Sequence, residues 1–357
     1  MCKLPDKIRI KDIAALAGVS TGTVDRVLHN RGEVSQKSRE KIEKILTELN
    51  YQPNIYATAL ASKKKYTFIT LLPEAKKGEY WYDIKIGVDN AAKELLDLNI
   101  NVQQIFFDQY NETSFIQSIN TILIQSPDGV LLAPVFKEQT IILTKELRIK
   151  NIPFVFIDSD ISELNALSYF GMHSFKSGYL AAKLLLKDEK NNSDIAIFQA
   201  YRTGNSESNQ TELRINGFKK YISDYYPDTV IHSVKIYAHD TDKNDKILKD
   251  FFNHYPQIKK GVTFNSRAYL IADYLTTNYI DDIKLIGYDL LEKNVIALKK
   301  NKICYLLAQR PEIQSYKGLK ALCEYKIFKN KIKRTNFMPI DILTQENIDF
   351  YQEFTII

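Results

Sequence analysis

The sequence predicts a small all-helical unit followed by a larger α/β part built on doubly wound sheets. Three observations predict this division. The stretch from Lys11 to Asn30 has the pattern of two helices separated by a tight turn. From Tyr66 onward, apolar strand-like runs alternate with amphipathic helices. The basic excess lies at one end, because residues 1–65 hold 13 Lys and Arg against 7 Asp and Glu, which accounts for the whole net charge of +6.

The N-terminal stretch reads KDIAALAGVSTGTVDRVLHN. Apolar residues recur at helical spacing on both sides of Gly18, which can adopt the positive φ of a tight turn. They are Ile13, Ala14 and Ala17, then Val24, Val27 and Leu28. Ser20 or Thr21 can cap the second helix, and Ser35 can cap a third helix that runs to about Leu49. The pattern indicates a DNA-binding helix-turn-helix whose second helix reads the bases.

The residues after the third helix have the composition of a linker. Pro53 blocks continuation of that helix, and the Ala-rich run from Ile55 to Ser62 is too short to be a stable helix in water by itself. We expect this segment to become helical only against a partner.

The larger part contains apolar runs that are typical of buried parallel strands. They span residues 67–73, 102–107, 129–134, 153–158, 168–172, 194–200, 230–237, 261–265, 283–289, 303–309 and 336–343. Predicted helices separate most of these runs, so the sequence indicates one or more open doubly wound sheets. Ligands of such sheets bind beyond the carboxyl ends of the strands.

TVDRVLHN, LNYQPN and the alternating body resemble the lactose-repressor (LacI/GalR) family of bacterial transcription regulators. The resemblance implies a helix-turn-helix headpiece, a hinge helix, and a two-lobed core similar to periplasmic sugar-binding proteins, with three strands crossing between the lobes. The expected boundaries are 1–50 for the headpiece, 51–65 for the hinge, 66–164 with 305–332 for the first lobe, and 165–304 with 333–357 for the second. Homodimers of this family bind pseudo-palindromic operators in double-stranded DNA.

By resemblance, Thr21, Gly22 and Arg26 occupy the positions that face base edges. The Arg26 guanidinium can bond guanine O6 and N7 together, although a phosphate contact or a salt bridge to Asp25 is the alternative. Gly22 offers no side chain for readout, and Asp25 would be repelled by phosphate unless it pairs with Arg26 or accepts from cytosine. We therefore expect an operator that differs from the family's common one.

Further contacts are expected to position the headpiece on the DNA backbone rather than to read sequence. They are assigned to Thr23, Asn30, Ser35, Lys37 and Arg39. In the hinge, the resemblance places Leu60 as the wedge that enters the minor groove and kinks the DNA, with Ala57 allowing close approach on the same face.

Four polar residues at strand ends or a helix start are the expected effector ligands, by resemblance to sugar binders. Asn265, Asp289 and Gln309 follow apolar runs, and Arg214 begins a helix. Such side chains bond hydroxyl groups well, but a polar residue at a strand end can also cap the next helix.

Tyr80 and Trp81 are expected against the apolar face of a sugar, or else in the core. Asp158 is either a pocket residue or structural. Because Pro134, Val135 and Phe136 stand where sugar binders often have a carboxylate, we expect the first lobe to form the more apolar wall.

Composition and motifs narrow the function. The chain is 45% hydrophobic and 26% charged, with three cysteines and no apolar run of membrane-spanning length. No signal peptide, Gly-rich phosphate loop, metal-ligand cluster or nucleophile elbow is recognised. We therefore expect a cytoplasmic, non-enzymatic repressor without cofactor or metal, controlled by a small polar effector such as a sugar. A solute-binding carrier and a purine-type, corepressor-dependent regulator are the alternatives.

Overall fold

The structure is a computed structural model that describes residues 9–28, 32–49, 64–187, 193–200, 209–238 and 240–353. The chain divides into two compact units, Met1–Lys63 and Lys64–Ile357. Asn30, Ala57 and Leu60 lie outside the described residues, so their predicted roles in DNA binding are not tested by the fold.

The described part of the N-terminal unit folds as three helices around one small core. They are α1 (Ile10–Ala17), α2 (Thr21–Leu28) and α3 (Gln36–Glu48). The expected apolar stripes meet in this core, which contains Ile13, Ala14, Ala17, Val24, Val27 and Ile42. Gly18 ends α1 with a φ of 67°, as the turn requires. The predicted helix-turn-helix geometry is therefore present.

Ser20, rather than Thr21, caps α2. The Ser20 hydroxyl accepts a hydrogen bond from the backbone N–H of Thr23 at 3.2 Å, and the two hydroxyl oxygens lie 2.9 Å apart. Thr21 is already the first residue of the helix, so its side chain is left exposed. Ser35 caps α3 as predicted, because its hydroxyl oxygen accepts from the N–H of Ser38.

Two six-stranded sheets organise the described part of the larger unit. Its strands are β1 (Tyr66–Pro73), β2 (Ile100–Phe107), β3 (Gly129–Leu132), β4 (Phe154–Ile157), β5 (Ser168–Met172), β6 (Ile195–Ala200), β7 (Ile231–Ile236), β8 (Lys260–Thr263), β9 (Lys284–Tyr288), β10 (Tyr305–Ala308), β11 (Thr335–Met338) and β12 (Asp341–Leu343). The first sheet has the order β11-β5-β4-β3-β1-β2, and the second has the matching order β12-β10-β9-β8-β6-β7. All pairs are parallel except β10 with β12.

Helices separate most successive strands, as expected for doubly wound sheets. They are α4 (Tyr80–Leu96), α5 (Glu112–Gln125), α6 (Lys137–Ile149), α7 (Ser174–Leu186), α8 (Asn209–Tyr225), α9 (Thr241–His254), α10 (Ala268–Thr277), α11 (Glu292–Lys299), α12 (Pro311–Lys326) and α13 (Ile348–Glu353). The sequence did not predict α11. None of the described helices is both long and apolar enough to cross a membrane.

The strand pairing differs from the expected lobe boundaries at three places. β5 was assigned to the second lobe but pairs with β4 of the first sheet, and β10 was assigned to the first lobe but pairs with β9 of the second. β11 was assigned to the second lobe but pairs with β5. An apolar run predicts that a strand exists but not which neighbour it pairs with. Each predicted lobe boundary precedes the strand in question, whereas the chain changes sheet only after it.

The last predicted strand, residues 336–343, is in fact two short strands in different sheets. β11 ends at Met338, and β12 begins at Asp341 in the other sheet. Pro339 lies between them and has no N–H to contribute to a ladder, so the pairing stops there. The chain therefore passes between the sheets after β5, after β10 and after β11.

Two helices of the second lobe, α7 and α8, pack unusually closely. A Cβ atom added at Gly178 of α7 would overlap the backbone carbonyl of Arg214, and one added at Gly217 of α8 would overlap that of Phe175. Both glycines are therefore required by the close approach of the two backbones. This contact fixes the position of Arg214, whose side chain enters the space between the sheets.

We expect Gly178→Ala to destabilise the larger unit by about 1–3 kcal/mol, because the added methyl group must push α7 away from α8. Lys183→Ala, an exposed change on the same helix, is the control and should leave the melting temperature nearly unchanged. Thermal unfolding followed by circular dichroism measures both. Equal melting temperatures for Gly178→Ala and the parent protein would contradict the close-packing argument.

Candidate functional site

A cavity of about 320 Å³ lies between the two sheets. All six side chains predicted to bind an effector line it. They are Tyr80, Trp81, Arg214, Asn265, Asp289 and Gln309. The strands end here because the carboxyl edges of both sheets face the same space. The sequence-based expectation of one shared location therefore agrees with the geometry, whereas ligand binding by these residues stays a prediction.

Arg214 is the centre of the cluster on the second lobe. Its side chain is 1% exposed. One terminal guanidinium nitrogen donates to the carbonyl oxygen of Phe264 at 2.8 Å, and the other donates to Oε1 of Gln309 at 3.3 Å. The guanidinium also lies over the ring of Tyr288, with 4.2 Å between its Cζ atom and the ring centroid. These contacts offset part of the cost of burying a cation.

Gln309 connects Arg214 to Asp289. Its Nε2 donates to Oδ1 of Asp289 at 2.9 Å. Burial raises the pKa of Asp289 to about 7, opposed by the positive charge of Arg214 and the Gln309 hydrogen bond, while the carboxylates of Asp158 and Asp83 add to the rise. With a pKa of about 7, the carboxyl group of Asp289 is partly protonated and partly ionised at neutral pH.

Asn265 organises the start of the next helix, which is the alternative to ligand binding that its position allowed. Its Oδ1 accepts from the backbone N–H of Arg267 at 2.9 Å, and Arg267 is the residue that precedes α10. The side-chain oxygen thus organises the start of the helix. Its amide nitrogen donates to no residue in the described part of the chain and remains available to a ligand.

The first lobe forms a more polar wall than expected. Pro134 and Val135 do line it, but Asp158, only 7% exposed, supplies a carboxylate from the end of β4. The hydroxyl of Tyr80 donates to Oδ1 of Asp158 at 2.7 Å. Burial, and next the charge of Asp158, raises the pKa of Tyr80 well above its usual value, so that hydroxyl stays a donor. Trp81 packs edge to face against Tyr80, with 5.1 Å between ring centroids.

Asp158 and Asp289 occupy equivalent places in the two lobes. Each follows the third strand in the shared strand order, β4 or β9, and each has a positive φ, 66° and 65°. The backbone N–H of Asp158 donates to the carbonyl of Phe170 at 3.1 Å, and that of Asp289 donates to Leu307 at 3.0 Å. Two buried carboxylates therefore enter the same cavity from opposite sides.

Hydrogen bonds cross directly from one lobe to the other around the cavity. The Arg267 guanidinium donates to the hydroxyl of Tyr110 at 2.5 Å. Nε2 of Gln210 donates to the backbone oxygen of Asp158 at 2.8 Å and to its Oδ1 at 3.0 Å. These contacts hold the two lobes together in the structure.

The sequence-based reasoning missed Gln210, Tyr110 and Arg267 as site residues. Gln210 could have been found, because it lies four residues before Arg214 and therefore on the same face of α8. Tyr110 and Arg267 lie in loops after strands, and no local pattern reveals which loops meet across a cleft.

Two polar atoms that are fully buried beside the cavity have no hydrogen-bond partner among the described residues. They are the hydroxyl of Ser159, which is 4% exposed, and Nε of Arg214. Buried polar atoms are normally paired, so such groups at a cavity indicate contacts to water or a ligand. Among the residues that the structure describes, no cluster of His, Cys, Asp and Glu could hold a metal ion.

In the N-terminal unit, α2 leaves exposed the three residues that the resemblance aligns with base edges. Thr21, Gly22 and Arg26 are exposed, while Asp25 and Thr23 are half-buried. Within the described residues the Arg26 guanidinium has no ion-pair partner. Asp25 precedes it directly in sequence, and the side chains of such neighbours do not face each other on a helix. The alternative of an Asp25–Arg26 salt bridge is therefore not realised.

Ser35 and the basic residues beside it lie around the start of α3. Ser35 and Lys37 are exposed, and Arg39 is half-buried with an NH1 atom 3.7 Å from Oε1 of Glu43. The Ser35 hydroxyl also donates to that of Ser38 at 2.8 Å. The start of a helix presents backbone N–H groups and partial positive charge, which favours phosphate.

Comparison with known proteins agrees with both units. Residues 9–54 match the model of bacterial regulatory proteins of the lacI family, and residues 69–330 match a periplasmic binding protein domain. A Bacteroides fragilis protein described as a LacI transcriptional regulator is 40% identical, with a TM-score of 0.77 over 81% of this chain and 100% of that one.

Three further proteins are similar to this chain at lower identity. The HTH-type transcriptional regulator DegA of Bacillus subtilis is 27% identical over 60% of each chain, and the ribose operon repressor of Haemophilus influenzae is 31% identical over 60% of each. The chain thus spans about 60% of the length of these two curated relatives. GanP, a glucose-galactose binding protein from Geobacillus stearothermophilus, is 21% identical with a TM-score of 0.70, which shows the fold alone.

A helix-turn-helix unit followed by a two-sheet α/β core is the organisation that the two matched family models describe. The chain belongs to the lacI family of bacterial regulatory proteins. Its larger unit is a periplasmic binding protein domain.

We expect the stability of the larger unit to fall as the pH rises from about 4.5 to about 7.5. Burial raises the pKa of both Asp83 and Asp289 to about 7. The folded state therefore holds protons that the unfolded chain has already lost, and this stabilisation disappears as the pH passes through 7. Calorimetric melting temperatures across this range measure the effect.

Replacing one of these acids should reduce that pH dependence. Asp83→Asn should flatten the fall in melting temperature, whereas Asp97→Asn, an exposed change at the other end of α4, should not. The same slope in the parent protein and in Asp83→Asn would show that Asp83 titrates normally.

Proposed function

We propose that this protein is a sequence-specific DNA-binding repressor whose operator affinity is controlled by a sugar or sugar derivative bound between the lobes. The observation that supports this proposal is that Asp158, Asp289, Arg214 and Gln309 all line one cavity. Such a set accepts and donates hydrogen bonds at fixed positions, which suits a ligand rich in hydroxyl groups. The similarity to a relative named as a ribose operon repressor supports the same assignment.

The recognition of DNA is assigned to α2 and the start of α3. Arg26 is the principal base-reading residue, because its guanidinium is exposed and unpaired within the described residues. Thr21 is the second, and Gly22 allows the helix to approach the bases closely. Asp25 restricts which bases fit beside Arg26, and Thr23, Asn30 and Ser35 hold the DNA backbone.

The remaining parts of the mechanism follow the family. Residues 1–50 are assigned as the headpiece and 51–65 as the hinge, with Leu60 as the minor-groove wedge and Ala57 beside it. The protein acts as a cytoplasmic homodimer, since a pseudo-palindromic operator needs two headpieces. It carries out no catalysis and requires no cofactor.

The effector acts by stabilising one arrangement of the lobes over another. Bonds such as Arg267–Tyr110 and Gln210–Asp158 already connect the two sides of the cleft. A ligand that adds bonds to Asp158 from one lobe and Asp289 from the other favours this arrangement. A differential affinity equivalent to about 1–3 kcal/mol is enough for typical allosteric coupling.

We expect Arg26→Ala to weaken operator binding by roughly 1–3 kcal/mol and to relax sequence preference, because a bidentate base contact is lost. The operator is first selected from random duplexes, and affinity is then measured by fluorescence anisotropy on that duplex and on a scrambled one. Lys44→Ala, an exposed change on α3, is the control. Unchanged affinity and preference in Arg26→Ala would remove this residue from the reader.

We expect Asp289→Ala to weaken effector binding at least about tenfold, or ~1.4 kcal/mol, because two acceptor oxygens disappear from the cavity. A thermal-shift screen of sugars, sugar acids, polyols and purines against the purified protein identifies the effector first. Asp97→Ala is the control. A full ligand-induced shift in Asp289→Ala would place the effector elsewhere, and a response to purines alone would replace the sugar assignment.

A further inference from the structure

A second cavity of about 280 Å³ adjoins the main one. We call it the side chamber, and define it by Asp83, Leu290, Arg310, Pro311, Glu312 and Tyr351. The two cavities share Tyr80, Asp289, Leu291 and Gln309. The side chamber therefore shares part of its wall with the main cavity.

The side chamber has unused acceptors. Within the described residues, the carboxylates of Asp83 and Glu312 have no hydrogen-bond or ion-pair partner in another residue. Burial raises the pKa of each, and the two charges lie close enough for Glu312 to raise that of Asp83. The oxygens of these two half-buried carboxylates can therefore accept hydrogen bonds from a ligand that carries several donors.

The positively charged group of the side chamber is already paired. Nε and one terminal nitrogen of Arg310 donate to the two carboxylate oxygens of Asp341 at 2.7 and 3.2 Å. The hydroxyl of Tyr351 donates to the same carboxylate at 2.6 Å. The charge of Arg310 is therefore already balanced by Asp341, whereas Asp83 and Glu312 have no ion-pair partner among the described residues, so the lining disfavours an anionic group.

Asp289 connects the two spaces. It is 6% exposed and borders both cavities. Gln309 bonds its Oδ1, and Oδ2 has no partner among the described residues. This nine-tenths-buried side chain can bond a ligand that extends from one cavity to the other.

The size of the combined space agrees with this continuity. The main cavity alone is about 320 Å³, which already lies within the usual range of small-molecule pockets. The side chamber adds almost as much again. Its lining also includes Leu290 and Pro311, which suit the apolar face of a ring.

We propose that the side chamber is a second subsite, and that the effector has two hydroxyl-rich ring units, as in a disaccharide. One unit lies in the cleft between Asp158 and Asp289, and the other donates its hydroxyl groups to Asp83 and Glu312. This inference rests on the proposed sugar-binding function and adds the size and charge of the ligand. It makes Asp83 and Glu312 specificity-determining residues.

The test is isothermal titration calorimetry of the full chain with neutral disaccharides and with their constituent monosaccharides. The probes are maltose, cellobiose, lactose, melibiose and xylobiose, with glucose, galactose and xylose. We expect one disaccharide to bind at least about tenfold more tightly than either of its units. Asp83→Asn and Glu312→Gln should each weaken that disaccharide several-fold and change monosaccharide affinity less than about twofold. Asp97→Asn is the matched control.

The outcomes separate the two proposals. If a monosaccharide binds as tightly as every disaccharide that contains it, the second subsite is wrong while the sugar-effector assignment stands. The same conclusion follows if both variants bind the disaccharide like the parent protein. If no probe binds to the parent protein, the sugar-effector assignment fails and this inference fails with it.

Discussion

The buried guanidinium of Arg214 is the constraint on which the second half of the cavity depends. A cation with 1% exposure is costly to bury, and hydrogen bonds from its two terminal nitrogens to Phe264 and Gln309 offset part of that cost. Gln309 can therefore direct its amide nitrogen to Asp289. The same arginine is placed by the contact of two helices at Gly178, since no side chain could stand between the backbones. Helix packing, buried charge and the availability of Asp289 thus form one connected arrangement.

Much of this arrangement could be predicted from the sequence, because the relevant signals are local. Runs such as LIGYD and YLLAQ predict a strand with a polar residue at its carboxyl end, and parallel sheets bring such ends together. The three helices of the N-terminal unit likewise follow from apolar spacing and from Gly18. Asp158 shows the limit of such reasoning. It follows a run of the same kind as Asp289, but the local pattern leaves both a structural and a ligand-binding role open.

The parts that could not be predicted depend on contacts distant in sequence. Strands β5, β10 and β11 were expected in the wrong lobes, because pairing partners are chosen by tertiary packing rather than by the run itself. Helix α11 was missed, and no side-chain cap bond marks its start at Leu291. The Arg267–Tyr110 bond joins loops that are 157 residues apart. Only the folded chain shows that these loops meet.

The three passages between the sheets are very short. They consist of His173, of Gln309 with Arg310, and of Pro339 with Ile340. One or two residues per passage leave little room for the lobes to slide or twist independently, so their relative motion is reduced to rotation about a narrow axis. In such a rotation, a small change in the distance between the lobes beside the axis produces a larger displacement at the far edges of both sheets. Gln309 is part of one passage and also borders the cavity, so a ligand that bonds it acts directly on the pivot.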